Sequence, residues 1–205
     1  KMGQINLISS QNKLGNFSVV IQDEPKGLGH AVWCGRRFIL KNEMFAVILP
    51  DDIIMSKIPV TKQLINVYNE TQKSVIGLET VPKKDVSKYE KNKKKKKFNN
   101  SYLINNIVEK PEIEKAPSNL SVIGRYILHS KVFDHLSLNK RGFGGEIQLT
   151  DALNTLINNP GLCGFEFDGQ RFDCGGKLGF VRANLMFGLN DKEIKNEIKK
   201  IIKNL

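Results

Sequence analysis

Phe45-Ala46-Val47-Ile48-Leu49-Pro50-Asp51-Asp52 is the stretch on which the reading of the fold turns. Five apolar residues without a break read as a strand covered on both faces, the habit of a parallel sheet packed between helices. Pro50 has no N–H to give a ladder, so the strand ends there and delivers two carboxylates at its C-terminal edge. Ligands in open α/β sheets bind at that edge. Side chains alternate across an extended backbone, so only one of Asp51 and Asp52 is expected to face a site. Taken alone, the pair also fits a polar turn after a core strand.

Upstream, residues 17–21 are a short β-rich run. Gln22-Asp23-Glu24-Pro25-Lys26-Gly27-Leu28-Gly29-His30 then reads as a loop, and residues 31–34 suit a helix start. Glycines there let backbone N–H groups approach a ligand, and a helix end favours an anion, although a G-x-G pair by itself is commonly a plain turn.

Downstream, residues 61–72 carry Leu64, Ile65 and Tyr68 at helical spacing behind Thr61 as N-cap. Strands are predicted over 74–81, over 102–108 leading into Glu109-Lys110-Pro111, and over 121–128 after a turn at Pro117-Ser118-Asn119-Leu120. Gly124 in mid-strand weakens that strand unless something approaches the backbone there. Helices follow over 131–136 and, after the Phe143-Gly144-Gly145 turn, over 146–158. Phe165 and Phe167, around Asp168-Gly169, predict a hairpin with Arg171-Phe172. A helix over 178–189 precedes a last one capped by Asn190, with Ile194, Ile198, Ile201, Ile202 and Leu205 on one stripe. Residues 1–189 thus read as a single α/β domain and 190–205 as a C-terminal amphipathic helix.

At 205 residues the chain is large enough to bury a real core, and 40% hydrophobic with 26% charged residues describe an ordinary globular protein. No apolar run approaches the length of a membrane span, and residues 1–6 contain no signal-peptide core. Cys34, Cys163 and Cys174 form no C-x-x-C pair, an odd and scattered set that fits a reducing, cytoplasmic setting. The net charge of +11 hints at nucleic acid, but residues 83–97 alone hold nine lysines against Asp85 and Glu90. The basicity is local, so residues 83–101 read as a lysine-rich loop or insertion rather than a basic face. Polyanion contact through that segment is the lesser alternative.

Seven motifs then occur in order: Lys26-Gly27-Leu28-Gly29-His30-Ala31-Val32, Leu49-Pro50-Asp51-Asp52, Val108-Glu109-Lys110-Pro111, Ala116-Pro117-Ser118-Asn119-Leu120, Gly124-Arg125-Tyr126, Gly145-Glu146-Ile147-Gln148-Leu149-Thr150-Asp151-Ala152 and Asp173-Cys174-Gly175. Over roughly residues 17–190 this series resembles the bacterial UTP–glucose-1-phosphate uridylyltransferases. The resemblance implies a Rossmann-like nucleotide-diphospho-sugar transferase fold with a mixed, mostly parallel central sheet. It implies Mg²⁺-dependent transfer of a uridylyl group from UTP to glucose 1-phosphate, giving UDP-glucose and pyrophosphate, by a homo-oligomer. Asp51 matches the family's metal-binding aspartate, and Asp173 matches one that completes the metal site in related enzymes. Lys110 matches the lysine that meets the sugar phosphate, and Glu109 the glutamate that accepts hydrogen bonds from glucose hydroxyls. Gly124 matches a glycine whose backbone meets the sugar, and Gln22 and Gly27 match positions that read the uracil edge. Glu146, Gln148 and Asp151 are left to helix capping and an interface.

The series departs from the family at two places. The family opens with a strand and a loop of the pattern G-x-G-T-R-F-L-P, then a lysine-containing segment, that together grip UTP; the sequence contains neither. The expectation is therefore an N-terminally truncated form or fragment, with a catalytically inactive remnant that binds sugar nucleotide or a partner subunit as the alternative. Where the family has Tyr-Gly, this chain has Tyr89-Glu90, which alters the outer wall expected of the sugar pocket.

Overall fold

The computed structural model describes residues 16–82, 91–98, 100–112, 114, 118–138 and 140–204, and for 91–98 only the backbone. Expectations placed on residues 1–6, 83–90, Ala116, Pro117 and Leu205 lie outside these residues.

The elements in chain order are α1 (Leu28–Cys34), β1 (Met44–Ile48), β2 (Asp52–Met55), α2 (Val60–Thr71), β3 (Ser74–Thr80), β4 (Lys91–Phe98), β5 (Ser101–Val108), β6 (Leu120–His129), α3 (Val132–Leu136), α4 (Leu149–Leu156), β7 (Leu162–Glu166), β8 (Gln170–Asp173), α5 (Lys177–Asn190) and α6 (Lys195–Lys203). Six strands form one mixed sheet in the order β1-β6-β3-β7-β5-β4, with a further contact between β4 and β6. Only β3 and β7 are parallel neighbours; β5 and β6 run against the other four strands. The sheet is thus mixed as expected, and mostly parallel in strand direction but not in neighbour pairing.

Burial on both faces belongs to the central strands. Val75, Ile127 and Cys163 pack under Val60, Leu64 and Val67 of α2. Ile76, Tyr126, Leu128 and Leu162 face the opposite way, against Leu149, Leu153 and Leu156 of α4. Alternation across the strand puts consecutive apolar residues on opposite faces, which is why an unbroken run suits β3 and β6. β1 does not share this environment. It ends the sheet, pairs antiparallel with β6 and leaves Ile48 53% exposed, so the two-sided cover expected of residues 45–49 is corrected to an end strand with one side open.

Other differences have local causes. Residues 17–21 join no strand among the described residues, and Phe17, Val19 and Ile21 are exposed. α2 starts at Val60 with Pro59 in the cap position, so Thr61 lies inside the helix. α4 starts at Leu149 because Ile147 is held extended: its N–H donates to Lys26 O, and its carbonyl accepts from Gly29 N. The last helix is introduced by Asp191, whose Oδ1 accepts the N–H groups of Glu193 and Ile194; Asn190 is spent on Met186 O and Met55 Sδ.

Two corrections bear on function. Residues 91–98, expected as part of a loop, are strand β4, which pairs antiparallel with β5 from Lys91↔Val108 to Phe98↔Ser101. Edge strands carry lysine readily because charge there blocks pairing with another chain. Arg171-Phe172 does not form a hairpin with Phe165 and Phe167. β7 is in the main sheet, while β8 crosses to a two-stranded ribbon with β2, in the register Asp52↔Asp173.

Candidate active site

The ribbon explains what happens at the end of β1. After Ile48 the chain turns through Leu49-Pro50-Asp51, and Arg125 holds that turn, donating from Nη1 to Leu49 O and Gly124 O and from Nη2 to Asp52 O. Burial pulls the Arg125 guanidinium below its ordinary pKa, against the opposing pull of Asp52 and Asp51. The two aspartates then part as strand alternation requires. Asp52 is 5% exposed, accepting Gly124 N at 2.6 Å on Oδ2 and Arg171 Nε at 2.5 Å on Oδ1. Asp51 is exposed, and its carbonyl accepts Cys174 N at 2.7 Å.

Arg171 is the hub beneath these groups. It also donates to Glu79 Oε2 at 3.3 Å and lies 3.6 Å from Asp173 Oδ2, with its side chain only 9% exposed. Burial raises the Glu79 pKa, and Arg171 counteracts it. Asp173 Oδ1 in turn accepts Gly175 N at 3.1 Å. A Cβ placed on Gly175 would sit 3.4 Å from Asp51 Oδ2 and 3.2 Å from Asp173 Oδ1, so one small space separates the two carboxylates. The first turn of α5 closes on the same spot: a Cβ on Gly179 would lie 1.7 Å from Asp173 O, so only glycine lets the helix approach.

The described residues contain no group of three His, Cys, Asp or Glu side chains able to cage a metal. Asp51 and Asp173 together offer two exposed or half-exposed carboxylates, the donor set for a hard cation that keeps waters and takes phosphate oxygens. The residues present fit such an ion.

Gly124 meets a packing demand of its own. Its N–H is committed to Asp52 and its carbonyl accepts Leu49 N and Arg125 Nη1. A Cβ there would lie 2.5 Å from Leu49 Cβ and 2.8 Å from Asp52 Oδ2. Packing against the acid turn requires a glycine at this position.

Glu109 and Lys110 follow the end of β5. Glu109 Oε2 accepts the Thr150 hydroxyl at 2.5 Å, and Oε1 lies 3.7 Å from Lys110 Nζ. The glutamate side chain is 11% exposed and the lysine 52%, so one is fixed and the other reaches outward. Thr150, buried in the first turn of α4, was not singled out in the sequence; its signal was its place in the Gly145–Ala152 motif. Gln148 occupies the cap position of that helix, yet its side chain donates to Phe143 O, so capping by Gln148 is corrected.

Gln22 and Gly27 are brought together: Gln22 Nε2 donates to Gly27 O at 3.1 Å. Gly27 has φ 103°, and Glu146 Cβ and Ile147 O fill the space a side chain would need. The predicted residues therefore fall in three groups, Gln22–Gly27, Asp51–Asp173 and Glu109–Lys110. Residues 146–150 connect the first to the third through Gly27, Gly29 and Thr150. Backbone pairing connects the third to the second, since Val108 faces Lys91 and Lys91 faces Ser121, three residues before Gly124.

The acid pair after β1 and the glutamate–lysine couple after β5 of the same mixed α/β sheet are a donor set suited to phosphoryl chemistry, and residues 4–185 match the family described as nucleotidyl transferase. The chain is 43% identical over 206 residues to a UTP–glucose-1-phosphate uridylyltransferase of Staphylococcus saprophyticus, covering 99% of this chain and 71% of that protein. It is 46% identical over 192 residues to the enzyme of the same name from Staphylococcus haemolyticus, covering 94% of this chain and 66% of that one. Among solved structures, a UDP-glucose pyrophosphorylase complexed with UDP-glucose superposes with a TM-score of 0.83 at 39% identity, covering 93% of this chain and 74% of that one. The chain belongs to the nucleotidyl transferase family, in its UTP–glucose-1-phosphate uridylyltransferase branch.

Proposed function

We propose that the protein transfers a uridylyl group from UTP to glucose 1-phosphate, giving UDP-glucose and pyrophosphate. The observation that carries the reading is the meeting of the Asp51 and Asp173 carboxylates beside Gly175, in a chain of this family. In this reaction a phosphate oxygen of the sugar attacks the α-phosphorus in line and pyrophosphate leaves, so the protein's contribution is positioning and charge neutralisation. Asp51 and Asp173 would hold a divalent ion, Mg²⁺ in this reading, which neutralises phosphate charge when bound. Lys110, a compact exposed cation, would meet the sugar phosphate, and its exposure supports that role. Glu109, held by Thr150, offers its carboxylate to sugar hydroxyls. Gln22 and Gly27 take the uracil edge.

The same proposal includes a homo-oligomer and a cytoplasmic location. Exposed Leu178, Val181 and Leu185 along α5 support self-association, and three free cysteines support a reducing compartment. No helix among the described residues is long and apolar enough to cross a membrane.

The test is pyrophosphate release from UTP and glucose 1-phosphate with Mg²⁺, with and without chelator. Release that requires both substrates and stops on chelation is the expected result. A folded chain that neither turns over nor binds UTP overturns the proposal.

A further inference from the structure

We propose that His30 is a positioning residue that determines base specificity, by fixing the Gln22 amide so that it offers the nucleotide an acceptor and no donor. The inference rests on the reading of Gln22 as a base contact and deepens it.

The argument begins with a carbonyl. Gly27 O can only accept, so the end of the Gln22 amide lying 3.1 Å from it is the NH₂ group. The same Nε2 lies 2.9 Å from His30 Nδ1. An amide NH₂ only donates, so His30 Nδ1 is the bare nitrogen and its Nε2 carries the hydrogen. That hydrogen points towards Cys34 Sγ at 3.9 Å, a weak partner that accommodates it. The imidazole does not depend on Gln22 for its orientation. It stacks on Trp33 at a centroid separation of 6.0 Å and 20° between planes, and Arg36 covers the Trp33 ring at 3.5 Å.

Both hydrogens of Gln22 Nε2 are therefore committed, one to Gly27 and one to His30. What remains is Oε1, for which no described residue supplies a donor. Uracil presents N3–H on its pairing edge, where cytosine presents a bare N3. A lone Oε1 pairs with the first and opposes lone pairs with the second. A site built to hydrogen-bond one partner rejects the analogue that leaves its polar atom unpaired. Without His30 only the Gly27 hydrogen bond holds the amide, so a flip that offers Nε2 to cytosine N3 gives up one bond instead of two and the preference falls.

The experiment measures equilibrium binding of UTP and CTP, each with Mg²⁺, to the full chain and to His30→Ala and His30→Asn. Asn retains an acceptor oxygen near the place of Nδ1. The wild-type chain is expected to prefer UTP, His30→Ala to narrow the UTP:CTP affinity ratio about tenfold, and His30→Asn to restore most of it. A ratio unchanged in His30→Ala, or a proportional loss of both nucleotides, overturns the role of His30 while leaving the uridylyltransferase reading intact. A wild-type chain that binds neither nucleotide overturns that reading and this one with it. Nitrogen-15 NMR of the wild-type imidazole is a check that needs no variant: an Nδ1–H tautomer at neutral pH refutes the proposal.

Discussion

Asp51 and Asp52 are adjacent in the chain and opposite in environment, and the difference sets two separate predictions. Asp51→Asn removes one charged oxygen from the exposed carboxylate pair without touching the packed network. Turnover should fall by about hundredfold or more, with a thermal midpoint close to wild type, as steady-state kinetics and calorimetry will show. Asp52→Ala does the reverse. It removes the shortest of the acid contacts of Arg171, which keeps Glu79 and Asp173, and leaves the Gly124 amide without its acceptor. Stability should drop by about 1–3 kcal/mol in urea unfolding, the cost of leaving the buried Gly124 amide without an acceptor. The alternation of the two aspartates was legible from a strand followed by proline. Arg171 was not, because its significance depends on Asp52, a residue 119 positions away.

At the scale of elements, β4 shows how neighbours override composition. A run of lysines reads as solvated chain, yet the backbone of Lys91–Phe98 completes a ladder with β5 and touches β6 at Ser121. Lys94 lies opposite Ile104 in that ladder, so Lys94→Pro should lower stability by about 2 kcal/mol and speed amide exchange along β5. An unchanged melting temperature would mean the ladder contributes nothing. Helices α2 and α4 were legible because their apolar residues recur with the helical period, and the central strands because theirs run almost unbroken. β8 was misread for a complementary reason: Asp168-Gly169 is good turn chemistry, but the partner of Arg171 and Phe172 is β2 and not the strand before the turn. Local signals name turns well and pairings poorly.

Across the whole molecule, one carboxylate ties three strands of the sheet. Glu166 of β7 accepts from Thr80 of β3 at 2.7 Å and from Tyr102 of β5. Burial, and then the hydrogen bond to Glu166, push the Tyr102 phenol up to about 12. A phenol that holds its proton more tightly when folded stabilises the fold fully below about pH 10, where the unfolded group ionises, and loses that contribution as pH rises towards about 12. Unfolding free energies measured from pH 8 to 12 should therefore decline over this window, and Tyr102→Phe should flatten the decline at a cost of about 1 kcal/mol at neutral pH. Equal slopes in both proteins would remove Tyr102 as its source. The β2–β8 ribbon carries a consequence for how the molecule is made. Its strands lie more than a hundred residues apart, so a growing chain has finished most of its sheet before Asp173 can come to rest beside Asp51. The contact between these two carboxylates is thus made late, and a product interrupted before residue 170 lacks the strand that brings the second of them to the first.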